Sequence, residues 1–186
     1  MDDIVLKTMK APNTSLGITP KAHGGGFPAA CLTTSVNKIG GITETTVLVN
    51  LANGAGSGGS ADDVIGTDGV TDAGGAYIAD LDDDINGVLF AVKFSCIEVP
   101  TGGDHDIDLV FSATGTDVHD AAVTSGTKLL NNGDLTLGES ATTAAGATIT
   151  AGGTNALNFV YLTSGDATNA AYTAGKIAIT FYGANF

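Results

Sequence analysis

Alternation of apolar and polar positions is the clearest signal along this chain, and it predicts strands. From Gly87 to Val99, the residues Val88, Phe90, Val92, Phe94 and Cys96 fall on one face, with Leu89, Ala91, Lys93, Ser95 and Ile97 on the other. Both faces are apolar enough to predict a central strand, or one covered on its second side by a loop or a neighbour. Pro100-Thr101-Gly102-Gly103 stops the run. The stretch Asp106 to Phe111 alternates strictly, placing Ile107, Leu109 and Phe111 inward and Asp106 and Asp108 toward solvent. Ile42 to Leu51 is rich in β-branched residues and ends at the turn signal Asn53-Gly54. Ala76 to Ala79, Ala156 to Thr163 and Gly175 to Tyr182 complete the set. In the last of these Ile177, Ile179 and Phe181 share a face.

The expected core is therefore Phe90, Val92, Phe94, Ile107, Leu109, Phe111, Ile177, Ile179 and Phe181. Helical pattern is poor, with at most a short turn after Asp117 through Ala121-Ala122-Val123. Strands at regular spacing with Gly-rich turns predict an all-β chain, a β-sandwich or jelly roll. Before residue 35 the periodicity fails. Pro12, Pro20, Pro28 and the triplet Gly24-Gly25-Gly26 read as an extended N-terminal arm over residues 1–34, leaving 35–186 as a single domain. Residues 138–155 read as a long loop or a weak edge strand.

Charge narrows the function. The 186 residues carry seven lysines and no arginine against 20 acids, for a net charge of −13. Such a chain repels polyanions, which excludes nucleic-acid binding through phosphates. A mean hydropathy of +0.24 is too high for a chain unable to collapse. No apolar run approaches the ~20 residues of a membrane helix. The start Met1-Asp2-Asp3 is acidic where a signal peptide is basic, so synthesis in a cytosol is expected. Cys31 and Cys96 are then expected as buried thiols.

Asp82-Asp83-Asp84-Ile85-Asn86-Gly87 matches the first half of a calcium loop, which makes Asp82, Asp84 and Asn86 the candidate metal ligands. The place of the bidentate Glu is taken by Lys93, so the stretch reads as an acidic turn entering a strand. Gly54-x-Gly56-x-x-Gly59 has dinucleotide-loop spacing, yet Asp62 and Asp63 beside it would repel a pyrophosphate. Asp104, Asp106 and Asp108 lie at spacing two, as a metal site or catalytic pair would need and as a solvated strand face also would. His23, His105 and His119 are dispersed, without the context of a nucleophile. The expectation is a protein with no catalytic residues and no cofactor.

Cys96-x-Glu98-x-Pro100-x-Gly102-Gly103-x-x-Asp106-Ile107-Asp108-Leu109, with Tyr172-Thr173-Ala174-Gly175-Lys176 and Phe181-Tyr182-Gly183 downstream, resembles small virion proteins of tailed phages of aquatic bacteria. Val64-Ile65-Gly66 ahead of Ala76-Tyr77-Ile78 fits the same resemblance, which spans roughly residues 40–186. It implies a capsid decoration (cement) protein with a β-sandwich or jelly-roll core, on the capsid exterior and made in the host cytoplasm. It implies the major capsid protein as partner and a homotrimer, with no nucleic acid or membrane. It assigns no active-site residue. The arm lies outside it, and its apolar residues Ile4, Val5, Leu6, Leu16, Ile18 and Phe27 are the expected contacts to a shell. Competing readings are a single-jelly-roll capsid protein, a fibre or receptor-binding protein, and a calcium-dependent carbohydrate-binding module.

Overall fold

The computed structural model describes residues 23–70, 74–143 and 159–184. Eleven strands form among them: β1 Leu32–Ile39, β2 Ile42–Asn50, β3 Ala55–Gly56, β4 Gly66–Thr67, β5 Ala79–Asp80, β6 Val88–Thr101, β7 Ile107–Ser112, β8 Thr127–Leu130, β9 Ser140–Thr142, β10 Phe159–Ser164 and β11 Ala174–Ala184. A five-stranded sheet has the order β1-β2-β11-β6-β9, a four-stranded sheet the order β5-β10-β7-β8, and β3 pairs with β4. Every pairing is antiparallel. The two larger sheets lay their inner faces together as an all-β sandwich. No helix of the described residues is long and apolar enough to cross a membrane.

The core forms where the alternation points inward. Val47 and Val49 of β2, Val92, Phe94 and Cys96 of β6, and Ile177, Ile179 and Phe181 of β11 meet Ile107, Leu109 and Phe111 of β7 and Leu162 of β10. The Phe111 and Phe181 rings join the sheets at a centroid separation of 6.0 Å. Both thiols, Cys31 and Cys96, are free and buried in this core. Burial holds each thiol above its ordinary pKa, so neither is poised as a thiolate.

Phe90 departs from the expected core: it is 52 % exposed. The cause is a β-bulge. Tyr182 pairs with Ala91 and Gly183 with Leu89, so Phe90 has no partner of its own and the side-chain alternation changes phase there. Leu89 points inward in place of Phe90, and Val88 and Phe90 point outward together.

The packed domain also begins earlier than residue 35. Gly24 N–H donates to Tyr77 O (2.9 Å), Gly26 N–H to Gly75 O (3.0 Å), and Thr67 N–H to Gly26 O (2.8 Å). Phe27, expected in the arm, is 1 % exposed and belongs to the main core. The remaining shell contacts expected of the arm, Ile4, Val5, Leu6, Leu16 and Ile18, lie outside the described residues. β1 was hidden because Thr33-Thr34-Ser35-Val36-Asn37-Lys38 is polar on both faces; it is an edge strand. A two-glycine turn joins it to β2, with Gly40 at φ +57°, which suits glycine.

No helix forms through Ala121-Ala122-Val123, which is irregular; among the described residues the single α-turn is Asp83–Asn86. It sits directly on β11, where a Cβ at Gly183 would fall 1.9 Å from Asn86 O, so only glycine fits. Of residues 138–155, Ser140–Thr142 pairs with β6 as β9, and the part from 144 on is outside the described residues.

Two substitutions on one strand test the bulge. Phe94→Ala should lower unfolding free energy by ~3–5 kcal/mol through lost burial and a cavity. Phe90→Ala, removing a half-exposed ring, should cost less than ~1 kcal/mol. Denaturant unfolding of both variants measures the contrast; equal losses would contradict the phase change.

Candidate functional site

The two central strands of the four-stranded sheet, β7 and β10, are buried on both faces. All six residues of β7 are buried, and so are five of the six in β10. On the face away from the sandwich core, Val110 and Tyr161 form a second, smaller core with Val64 and Ala76, against which Tyr77, Val123 and Phe159 pack. Loops supply this cover, so the acids expected on a solvated face are largely enclosed. Asp108 is 1 % exposed and Asp104 3 %.

Each enclosed acid is satisfied differently. Asp108 accepts the Asn132 N–H (3.0 Å) and pairs with Lys128 Nζ at 2.6 Å. Lys128 also reaches Asp62 at 2.7 Å. Burial pulls the Lys128 ammonium down, but the hydrogen bonds and charges of Asp108 and Asp62 outweigh it and leave its pKa raised. Asp104 accepts the N–H groups of Asp106 (3.0 Å) and Asp166 (2.7 Å), so its carboxylate closes two loops onto each other. Asp104 N–H in turn donates to Ser57 Oγ, whose hydroxyl donates to Thr168 O.

Asp104, Asp134 and Asp166 line a cleft of about 340 Å3 with Gly102, Gly103 and Thr168, and Asp106 lies close enough to feel the charge of all three acids. Sequence spacing picked out Asp104 and Asp106; Asp134 and Asp166 arrive from distant loops and left no local signal. Desolvation, then the charges of Asp108, Asp104, Asp166 and Asp134, raises the pKa of Asp106. Its Oδ1 is buried without a hydrogen-bond partner. His105 lies exposed beside this cleft, and His119 is buried elsewhere with its Nδ1–H directed at Val64 O (3.2 Å).

Asp82, Asp84 and Asn86 do not converge. Asp82 Oδ1 accepts the Asp84 N–H (2.9 Å), while Asn86 turns inward, its Oδ1 accepting the Asp82 N–H (2.7 Å) and its Nδ2 donating to Thr45 Oγ1 (2.6 Å). They form the hydrogen-bonded turn that launches β6. Among the described residues, no three His, Cys, Asp or Glu side chains are arranged to hold a metal ion. The Gly54–Gly59 loop is likewise structural: β3 lies within it, and Ser57 ties it to Thr168 and Asp104.

The five-stranded sheet is the opposite case. No aspartate lies in any of its strands. Its outer face carries Glu44, Lys93, Glu98 and Lys176, two of each sign, with Glu98 and Lys176 paired at 2.6 Å. That ion pair holds the Glu98 carboxyl below its ordinary pKa. Of the eight large exposed hydrophobic residues among the described residues, six are on this face: Ile39, Ile42, Leu48, Val88, Phe90 and Ile97. β6 therefore runs between β11 and β9 with its second face uncovered among the described residues. Of the two alternatives the sequence offered, a central strand or one covered on its second side, the first holds: β6 has a paired strand on each side.

Removing Lys128 strands Asp108 in a dry site. Lys128→Ala should cost ~2–4 kcal/mol, somewhat less than a fully buried broken pair because the lysine is one-third exposed. The raised Lys128 pKa means its contribution is full below the ordinary ~10.4 and lost as pH climbs through the folded value. Asp106 behaves conversely to a paired acid. Its raised pKa favours the folded state below the ordinary ~3.9, and that advantage is lost as pH rises through the folded value. Asp106→Asn should therefore melt above the wild type at neutral pH, with the gain shrinking as pH falls toward ~4. Thermal melts across pH measure both effects; a gain independent of pH would contradict the assignment to Asp106.

Comparison of this chain with protein-family models, with curated proteins and with solved structures found no match in any of the three.

Proposed function

We propose that this chain is a structural protein that works by attachment: a virion component decorating the outside of a capsid shell as a homo-oligomer, bound to the major capsid protein through its N-terminal segment. The observation that supports it is architectural. The described residues from 23 to 184 by themselves form both large sheets and the core between them, which leaves the apolar residues Ile4, Val5, Leu6, Leu16 and Ile18 for attachment in this reading. Segments of this kind bind by lying along an apolar groove or by adding a strand to a sheet edge. The buried polar groups described above serve loop closure and core pairing, in keeping with a protein that holds rather than reacts. The aspartate-rich loops would face outward, where a net charge of −13 keeps the particle surface from capturing nucleic acid. The resemblance of residues 40–186 to small phage virion proteins supplies the shell as the partner.

Deleting residues 2–22 tests this, since that cut spares Phe27 and the hydrogen bonds of Gly24 and Gly26. The truncated protein should keep a cooperative melt near that of the full chain and fail to co-sediment with intact shells, whereas the full chain co-sediments near the copy number of the shell protein. Truncated protein that still binds shells, or full chain that never does, would contradict the reading.

A further inference from the structure

The outer face of the five-stranded sheet is large, apolar at both ends and free of net charge, on a chain whose remaining surface is acidic. Near the β1–β2 turn it carries Ile39, Ile42, Val88 and Phe90, with the Phe90 ring 6.4 Å from that of Tyr182. At the other end stand Leu48 and Ile97. Between them the face is hydroxyl-rich: Thr46 and Thr180 are in contact at 3.2 Å, and Ser95 and Ser140 at 3.4 Å. We infer that this face is where two copies of the chain pack, sheet against sheet, about a two-fold axis.

Three observations select a second copy as the occupant. The first is charge. Two chains of −13 repel through any aspartate-bearing surface, and the outer sheet face carries none. The second is self-complementarity. A two-fold interface sets one patch against itself, so its charges must be able to pair across the axis, and two acids with two lysines satisfy that where an acidic patch cannot. The third is size. Five strands at ~4.8 Å spacing and about nine residues at ~3.4 Å rise outline roughly 700 Å2 per copy. Two copies then bury ~1,400 Å2, inside the usual range for specific interfaces. Solitary exposed hydrophobic residues are ordinary on a monomer, but six gathered on one sheet face are not. The inference rests on the homo-oligomer in the reading above, sets two copies where the resemblance implies three, and is independent of the shell.

Sedimentation equilibrium of the full chain tests it. The wild type at ~50 µM should show twice the 18.4 kDa of one chain, as a micromolar or tighter pair would. Ile42→Glu with Phe90→Glu should give the single-chain mass with unchanged far-ultraviolet circular dichroism and a cooperative melt. Lys93→Glu with Lys176→Glu leaves the apolar residues intact but makes the face acidic, and it should also separate the pair. Leu137→Glu, at an exposed leucine outside the five-stranded sheet, should keep the doubled mass. A single-chain mass for the wild type overturns the inference, since the face is then covered by this chain's own remaining residues or by another partner. A three-chain mass overturns it too, as does a pair that survives both double substitutions. Loss of shell binding with the doubled mass retained would count against the proposed function alone.

Discussion

The central strands β7 and β10 of the four-stranded sheet have to be dry on both sides, and the rest of the molecule is arranged around that requirement. Their inner face is covered by the opposing sheet, which contributes regular alternating strands. Their outer face is covered by loops, and a loop can be buried only if its backbone groups find partners. They do: Val64 N–H donates to Ala121 O, Ala76 N–H to Asp117 O, and Ile78 N–H to Val160 O. The composition follows from this. Close loop contacts demand small residues, and Ser and Asp supply side-chain hydrogen bonds at loop closures such as Ser57 and Asp104. The cost is electrostatic, because aspartates drawn into closures either pair, as Asp108 does with Lys128, or crowd one another, as around Asp106.

Placing the loops and their acids on one side leaves the other sheet chemically different. The five-stranded sheet keeps one face for the core and presents outward a partly apolar face whose two acids and two lysines balance. The asymmetry gives the chain two kinds of surface: one that solvates and repels, and one that can bury. The proposed pairing of two copies rests on that division.

Much of this was legible in the sequence wherever one strand face was buried and the other was not. β2 and β11 show that alternation plainly, and the inward residues of β11, Ile177, Ile179 and Phe181, were read as core. β7 was found for the same reason, but its second face was misread: Asp106 and Asp108 looked solvated because nothing local to β7 announces the loops that enclose them. β1 escaped notice because an edge strand with polar residues on both faces has no period, and β3, β4 and β8 are too short to have one. Phe90 was assigned to the wrong face because a bulge adds one residue and reverses every side chain beyond it. The acid cleft was half legible, since Asp104 and Asp106 are neighbours in the chain while Asp134 and Asp166 meet them only through the fold.

The most direct measurement of the two-surface account is hydroxyl-radical footprinting of the intact protein as a function of concentration. Phe90 and Tyr182 should be modified readily in dilute solution and become protected as concentration rises, while Phe94 and Tyr161 stay unmodified throughout. Protection of Phe90 even at high dilution, or modification that never changes with concentration, would contradict an outer sheet face that is bare on the single chain and buried on association.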